Sequence, residues 1–243
     1  MAASTEVKIY STPKKVCKAV AREIRKMTQG SPRPRFDIAL SGGNTPKKLF
    51  KILAKKHKDT IPWERIHFWW GDERCVSPTS DESNFKMAND FLFSHVPVPS
   101  KNVHRIKGEN PPKEEAKRYS SEIDKNLTHR GEAPVFDLVI LGLGDDGHTA
   151  SIFPDQLEIF EENHNCVATK HPLTGQKRIT LTGRVLNNAS RVFFLVTGEK
   201  KSMRISEIMN NDEAAKLLPA YYIEPKNGSL IWFIDEPAAS KIT

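Results

Sequence analysis

The 243-residue chain holds only three cysteines, Cys17, Cys75 and Cys166. They are widely spaced and odd in number. They offer neither a disulfide framework nor the paired spacing of a zinc site, and they fit a reducing compartment. No apolar run approaches the roughly 18 residues of a membrane span. The opening MAASTEVKIYSTPKK lacks the apolar core of a signal peptide. The expectation is therefore a cytoplasmic protein without a membrane partner. No His, Cys, Asp or Glu set has metal-ligand spacing, so no metal is expected. No repeat is evident, and neither a GK[ST] phosphate loop nor a GxGxxG turn is present, so no nucleotide is inferred.

Charge of one sign is scarce in one region. Residues 1–60 carry 15 Lys/Arg against 4 Asp/Glu, and the remainder 22 against 26. A basic segment can mark a nucleic-acid surface. Here the cations fall on two amphipathic helical patterns without interleaved aromatics. A solvated face is the simpler reading and no nucleic-acid partner is expected, although the surplus also suits a small anionic substrate.

What the chain does have is alternation. Short β-branched or apolar runs at 7–10, 36–40, 66–70, 136–141, 191–196 and 229–234 read as strands. Helical spacing joins most of them. Thr12-Pro13 reads as an N-cap followed by a favoured first-turn proline, and Val16, Ala19, Val20, Ile24 and Met27 follow as an inward face. A helix begins near Thr45 or Pro46, another over 85–93 and a charged one over 113–127. Val103–Ile106 is read as a weak strand, 158–162 as a solvated acidic loop, and 167–169 with 178–181 as strands joined by a Pro172/Gly175 turn. Residues 199–209 read as a helix with Met203, Ile205, Ile208 and Met209 as apolar candidates. The tail 237–243 reads as loop. The alternation predicts an α/β fold over 1–243, one domain, with a mainly parallel sheet covered by helices on both faces.

Three predicted strand ends share a character. Ser41-Gly42-Gly43-Asn44-Thr45 follows the 36–40 strand and opens a helix, whose free first-turn N–H groups and dipole favour an anion. Gly71-Asp72-Glu73-Arg74 follows the 66–70 strand. Arg74 offers a planar donor fork for phosphate or carboxylate. Asp72 or Glu73 would then meet substrate hydroxyls or carry acid–base work, unless the group is only a surface turn with an internal ion pair. Ser80-Asp81-Glu82-Ser83-Asn84 could face the same cleft, with Ser83-Asn84 also capping a helix. Gly142-Leu143-Gly144-Asp145-Asp146-Gly147-His148 follows the 136–141 strand. His148 can accept and return a proton near neutral pH, and Asp146 could orient it or share its charge. In an open α/β sheet such glycine-rich strand ends are where ligands bind.

At these loops the chain resembles the 6-phosphogluconolactonase family. The matching stretches are SGGNTPKKLF (41–50), WWGDER (69–74) with DESNF (81–85), LGLGDDGHTASIFP (141–154) and RITLT…LNNASRVFFLVTGEKK (178–201), in the family's order. The resemblance implies a Rossmann-like domain, no metal or organic cofactor, and a phosphosugar lactone, 6-phosphogluconolactone, as the small-molecule substrate, within the oxidative pentose phosphate pathway. For that reaction the expected base is His148, which would draw a proton from water attacking the lactone carbonyl, with Asp146 beside it. Gly42, Gly43, Asn44, Thr45, Asp72 and Arg74 would bind substrate and phosphate. Arg178 and Lys201 join them on the resemblance more than on spacing.

Two other readings stay open. Glucosamine-6-phosphate deaminases look like relatives with the same loop plan, but their second loop ends in Asp-Glu-Tyr where this chain has Asp72-Glu73-Arg74. The fold also serves as a sugar-phosphate sensor in repressors. Such a sensor would need a helix-turn-helix before the first strand, for which the sequence shows no room.

Overall fold

The computed structural model describes residues 4–242. In chain order the strands are β1 (Ser4–Tyr10), β2 (Phe36–Leu40), β3 (Ile66–Trp70), β4 (Asp72–Arg74), β5 (His129–Arg130), β6 (Ala133–Pro134), β7 (Leu138–Leu141), β8 (Cys166–Lys170), β9 (Lys177–Leu181), β10 (Arg191–Val196) and β11 (Ser229–Asp235). The α-helices are α1 (Pro13–Gly30), α2 (Asn44–Lys56), α3 (Asn84–Phe91), α4 (Pro112–Asn126), α5 (Gly183–Leu186), α6 (Ser202–Met209) and α7 (Glu236–Ala239).

Six strands form a parallel sheet in the order β1-β11-β10-β7-β2-β3. Every residue of β2 (FDIAL) and β7 (LVIL) is buried. Both sheet faces are covered, so these central strands carry apolar runs rather than alternation. Thr12 caps α1 by accepting the Lys15 N–H at 3.3 Å, with Pro13 in the first turn. The buried face of α1 includes Val16, Cys17, Ala19, Val20, Ala21 and Ile24.

The order of strands locates the site. From β2 the chain moves outward to β3, whereas from β7 it moves the other way, to β10 and β11. The neighbours β2 and β7 therefore bracket a reversal of strand order, and ligands in open α/β sheets bind outside the carboxyl ends at such a point. A second sheet, β4-β9-β8, is antiparallel and sits over that end. Gly71 joins the two, donating its N–H to Leu40 O and accepting from Leu181 N, each at 2.8 Å.

Several local expectations change. Val103 makes a single bridge to Phe68 instead of a strand, because Asn102 and His104 spend their bonds on the edge of β3. The 158–162 stretch is part of a 3₁₀ turn, Leu157–Glu161, with Ile159 buried. Met203 is exposed, and Ile205 alone of the four apolar candidates on α6 is fully buried. The tail folds into α7 because the Asp235 carboxylate accepts the Ala238 N–H at 3.1 Å. Thr243 lies outside the described residues.

Candidate active site

Residues 142–148 form a loop closed on itself. Gly144 N–H donates to His148 O at 2.8 Å, and the Thr149 hydroxyl donates to Gly142 O at 2.9 Å. A Cβ on Gly144 would collide with the His148 ring and the Asp146 carboxylate, so only glycine allows their approach. Asp146 Oδ1 lies 2.6 Å from His148 Nδ1 and accepts the His148 amide at 3.1 Å. Burial alone would raise the Asp146 pKa. The hydrogen bonds and charge of His148 outweigh it and hold the carboxyl down at about 2. An ionised carboxylate only accepts, so Nδ1 is the donor of that pair, which leaves Nε2 as the acceptor of the neutral tautomer. Phe153, fully buried, backs the imidazole with ring centroids 4.9 Å apart.

Opposite the histidine, β4 and β9 place Arg74 and Arg178 directly across from each other. Like charges so paired repel. Arg74 donates one terminal N–H to Glu82 O at 2.6 Å. Arg178 is 3.8 Å from Asp72 Oδ2, with its side chain 11 % exposed. Burial, then the Arg74 charge, lowers the Arg178 pKa. Among the described residues neither guanidinium Nε has a hydrogen-bond partner, although both are buried.

Asp72 and Glu73 prove to have different jobs. Glu73 accepts the N–H groups of Arg74, Asn84 and Phe85, each at 2.8 Å, and the Ser83 hydroxyl at 3.1 Å. Its carboxyl is spent on the first turn of α3, and it does not line the cleft. Asp72 does, held by the buried Ser151 hydroxyl at 2.6 Å and by Asn84 Nδ2, which donates to its carbonyl at 2.9 Å.

These groups meet in one cleft of about 240 Å³. Of the residues singled out from sequence, Gly42, Gly43, Asp72, Arg74, His148, Arg178 and Lys201 line it. Lys201, at the start of α6, is ion-paired with Asp145 and pulls the Asp145 pKa down. Asp146 stands behind the histidine. Asn44 and Thr45 lie outside the wall, because α2 turns away after Gly43. Asn44 is exposed and the Thr45 hydroxyl is shared with Thr197 at 2.9 Å. The amide end of α2 has no side-chain cap, so its first-turn donors remain open.

Sequence reasoning placed 80–84 toward the cleft without singling out Asn84, and it did not assign Ala150 or Ser151 to the site. Within 80–84 only Asn84 lines the cleft, whereas Ser83 caps α3 by accepting the Lys86 N–H at 3.1 Å. A Cβ on Gly42 would strike the Asn84 amide, which explains the close approach of those two loops. Asn84 had a signal, its place before a helix pattern. Ser151 had none, since its partner Asp72 is 79 positions away.

The family model described as glucosamine-6-phosphate isomerases/6-phosphogluconolactonase matches residues 11–232. This chain belongs to that family. Among its members, 6-phosphogluconolactonase of Haemophilus influenzae is 45% identical over 202 residues, covering 83% of this chain and 85% of the relative. The crystal structure of 6-phosphogluconolactonase from Thermotoga maritima superposes with a TM-score of 0.83 at 33% identity, covering 96% of this chain and all of the other. The structure of a monomeric glucosamine-6-phosphate deaminase has the same TM-score, 0.83, at 19% identity, covering 97% and 99% of the two chains. That last likeness is one of fold alone. The family thus spans two chemistries on one architecture, and the cleft's own residues must separate them.

Among the described residues no group of three or more His, Cys, Asp or Glu is placed to hold a metal ion. None of the described helices is long and apolar enough to cross a membrane.

Proposed function

We propose that this chain is a 6-phosphogluconolactonase, a single α/β domain that hydrolyses 6-phosphogluconolactone to 6-phosphogluconate in the cytoplasm, within the oxidative pentose phosphate pathway. The observation that carries the reading is the coexistence, in one small cleft, of a carboxylate-oriented imidazole and two facing arginines that lack full partners. One half suits proton transfer, the other a dianionic phosphate. The identity of about 45% to a relative bearing that name supports it.

In this reading His148 Nε2 takes a proton from water as the oxygen adds to the lactone carbonyl. The Asp146 carboxylate stabilises the imidazolium that forms. The tetrahedral oxyanion collapses, the ring C–O bond breaks, and the imidazolium returns its proton to the ring oxygen. No covalent intermediate is needed. Ser151, three residues past the histidine, is fully buried and donates to Asp72, so it is not a free nucleophile. Arg74, Arg178 and Lys201 hold the phosphate against the glycine loop at 42–43. Asp72 meets a sugar hydroxyl. Asn44 and Thr45 contribute only through the open amide end of α2.

The test offers 6-phosphogluconolactone and glucosamine-6-phosphate side by side. Acid release from the first, above its spontaneous hydrolysis and without ammonia from the second, is the expected result. Ammonia release would reassign the chain to deamination. Tight sugar-phosphate binding without turnover would favour a sensor.

A further inference from the structure

The cations concentrated in residues 1–60 play no part in the catalytic cleft, whose Arg74, Arg178 and Lys201 all come from later in the chain. The structure gathers them elsewhere. Lys15, Lys18, Arg22 and Arg25 recur at i, i+3, i+7 and i+10 and so share one face of α1. At 1.5 Å per residue the row is about 15 Å long. It borders a groove of about 540 Å³ between α1 and α2, closed on the far side by Lys56 and the buried ring of His57. Tyr10 and Ile52 form its apolar floor.

Among the described residues no carboxylate lines this groove. Glu23, the acid on the same helix, is paired with Lys26 at 3.5 Å instead. The Arg25 Nε is buried and donates to nothing among the described residues. Burial, then the charges of Arg25 and Lys56, pushes the His57 pKa down, which favours the neutral ring over a sixth cation. Five cations of one sign around a concavity repel one another, and a solvated face would not need the concavity. A multiply charged anion relieves the repulsion.

We infer that this groove is a second anion site, separate from the catalytic cleft, that takes a compact oligophosphate, a ligand with two or more adjacent phosphate groups. The cavity lies in the volume range of small-ligand sites. Its short row of cations matches a phosphate chain a few units long. An extended nucleic-acid strand needs successive aromatic platforms. Of the two rings here, His57 is buried and Tyr10 is already stacked on Phe233 at 6.4 Å and 9°. The chemistry has two sources, inorganic polyphosphate and a nucleoside polyphosphate whose heterocycle would use the apolar floor.

The experiment is calorimetric titration of the whole protein with inorganic tripolyphosphate in one arm and ATP in the other, at about 150 mM salt because surface charge is screened. Expected is one site in each arm, unaffected by saturating 6-phosphogluconate. A Lys18→Gln/Arg22→Gln variant should weaken both probes by roughly tenfold or more, the worth of one charge-assisted contact, and leave lactone turnover unchanged. Equal affinity for the two probes assigns inorganic polyphosphate as the source, whereas tighter ATP assigns the nucleotide. The inference is overturned by no binding at millimolar probe, by displacement with 6-phosphogluconate, or by undiminished affinity in the variant with its fold verified by circular dichroism. Binding of single-stranded oligonucleotides but neither short probe also overturns it. Binding in this groove does not depend on lactonase activity, so the two assignments fail separately.

Discussion

Along β2 and β3, Asp37 takes the Arg35 guanidinium through contacts of 2.7–3.0 Å and the Trp69 indole N–H at 2.8 Å. Nearby, His67 Nδ1 meets His104 Nε2 at 2.9 Å, His104 Nδ1 meets Glu122 at 2.8 Å, and Arg118 bridges Glu122 and Glu115. Acids and bases alternate there. A few residues onward, past Gly71, Arg74 faces Arg178, Arg178 reaches one carboxylate, Asp72, at 3.8 Å, and among the described residues both Nε atoms lack a partner. Both regions bury charge, and burial of charge is costly unless each group is paired. The first is paired within the protein and holds the fold. The second is left incomplete, and in the proposed function its missing partner is the phosphate of the substrate.

The comparison breaks most sharply at the histidine. His148→Asn keeps size and one hydrogen bond but removes the proton acceptor. kcat for 6-phosphogluconolactone should fall roughly 10²–10⁴-fold, the usual worth of general base catalysis, with KM little changed. Steady-state kinetics corrected for spontaneous hydrolysis checks it, and near-normal kcat would move the base elsewhere.

Asp37→Ala attacks the paired region. Leaving Arg35 and the Trp69 indole without their acceptor should cost about 3 kcal/mol in urea unfolding. The kinetic constants of the folded fraction should stay as they were, and a selective rise in KM would blur the distinction between the regions. Arg178→Ala should do the reverse. It should raise KM and lower kcat/KM about 10- to 150-fold, the equivalent of about 1.5–3 kcal/mol for a charge-assisted contact. It should lose little stability, because it also relieves the repulsion with Arg74.

The smallest effect concerns pH. His67 is pushed down to about 4, first by burial and then by the Arg35 charge. A histidine whose folded pKa lies below its unfolded value is favoured neutral in the fold. Its contribution to stability is whole above about pH 6.5 and is lost as pH falls through about 4. His67→Gln should therefore flatten the decline of Tm between those values without altering kcat/KM. Asp146, held at about 2, stays ionised through the same window. A loss of kcat/KM on mild acidification belongs to an imidazole, and it should disappear in the residual rate of His148→Asn.

The parallel sheet was legible because its inner strands are buried on both faces and write continuous apolar runs, as in 36–40 and 191–196. The three loops were legible because glycine, acids and a histidine at strand ends have few structural uses together. Pairings between distant segments were not. Nothing local to Glu73 distinguishes a carboxylate that caps α3 from its neighbour Asp72 in the cleft. The antiparallel register that sets Arg74 against Arg178 joins segments about a hundred residues apart, and Arg178 rested on resemblance for that reason. Thr45 carries the right hydroxyl at the right helix end, yet the turn at Gly43 directs it to Thr197.

The most direct test of the central claim compares kcat/KM for 6-phosphogluconolactone with that for the unphosphorylated lactone. Wild type, Arg178→Ala and His148→Asn are measured alike. If the incomplete arginine pair recognises the phosphate and the histidine drives the chemistry, the preference for the phosphorylated substrate collapses in Arg178→Ala. In His148→Asn it persists at a far lower absolute rate. Full phosphate preference in Arg178→Ala would contradict the account and return that pair to a structural role.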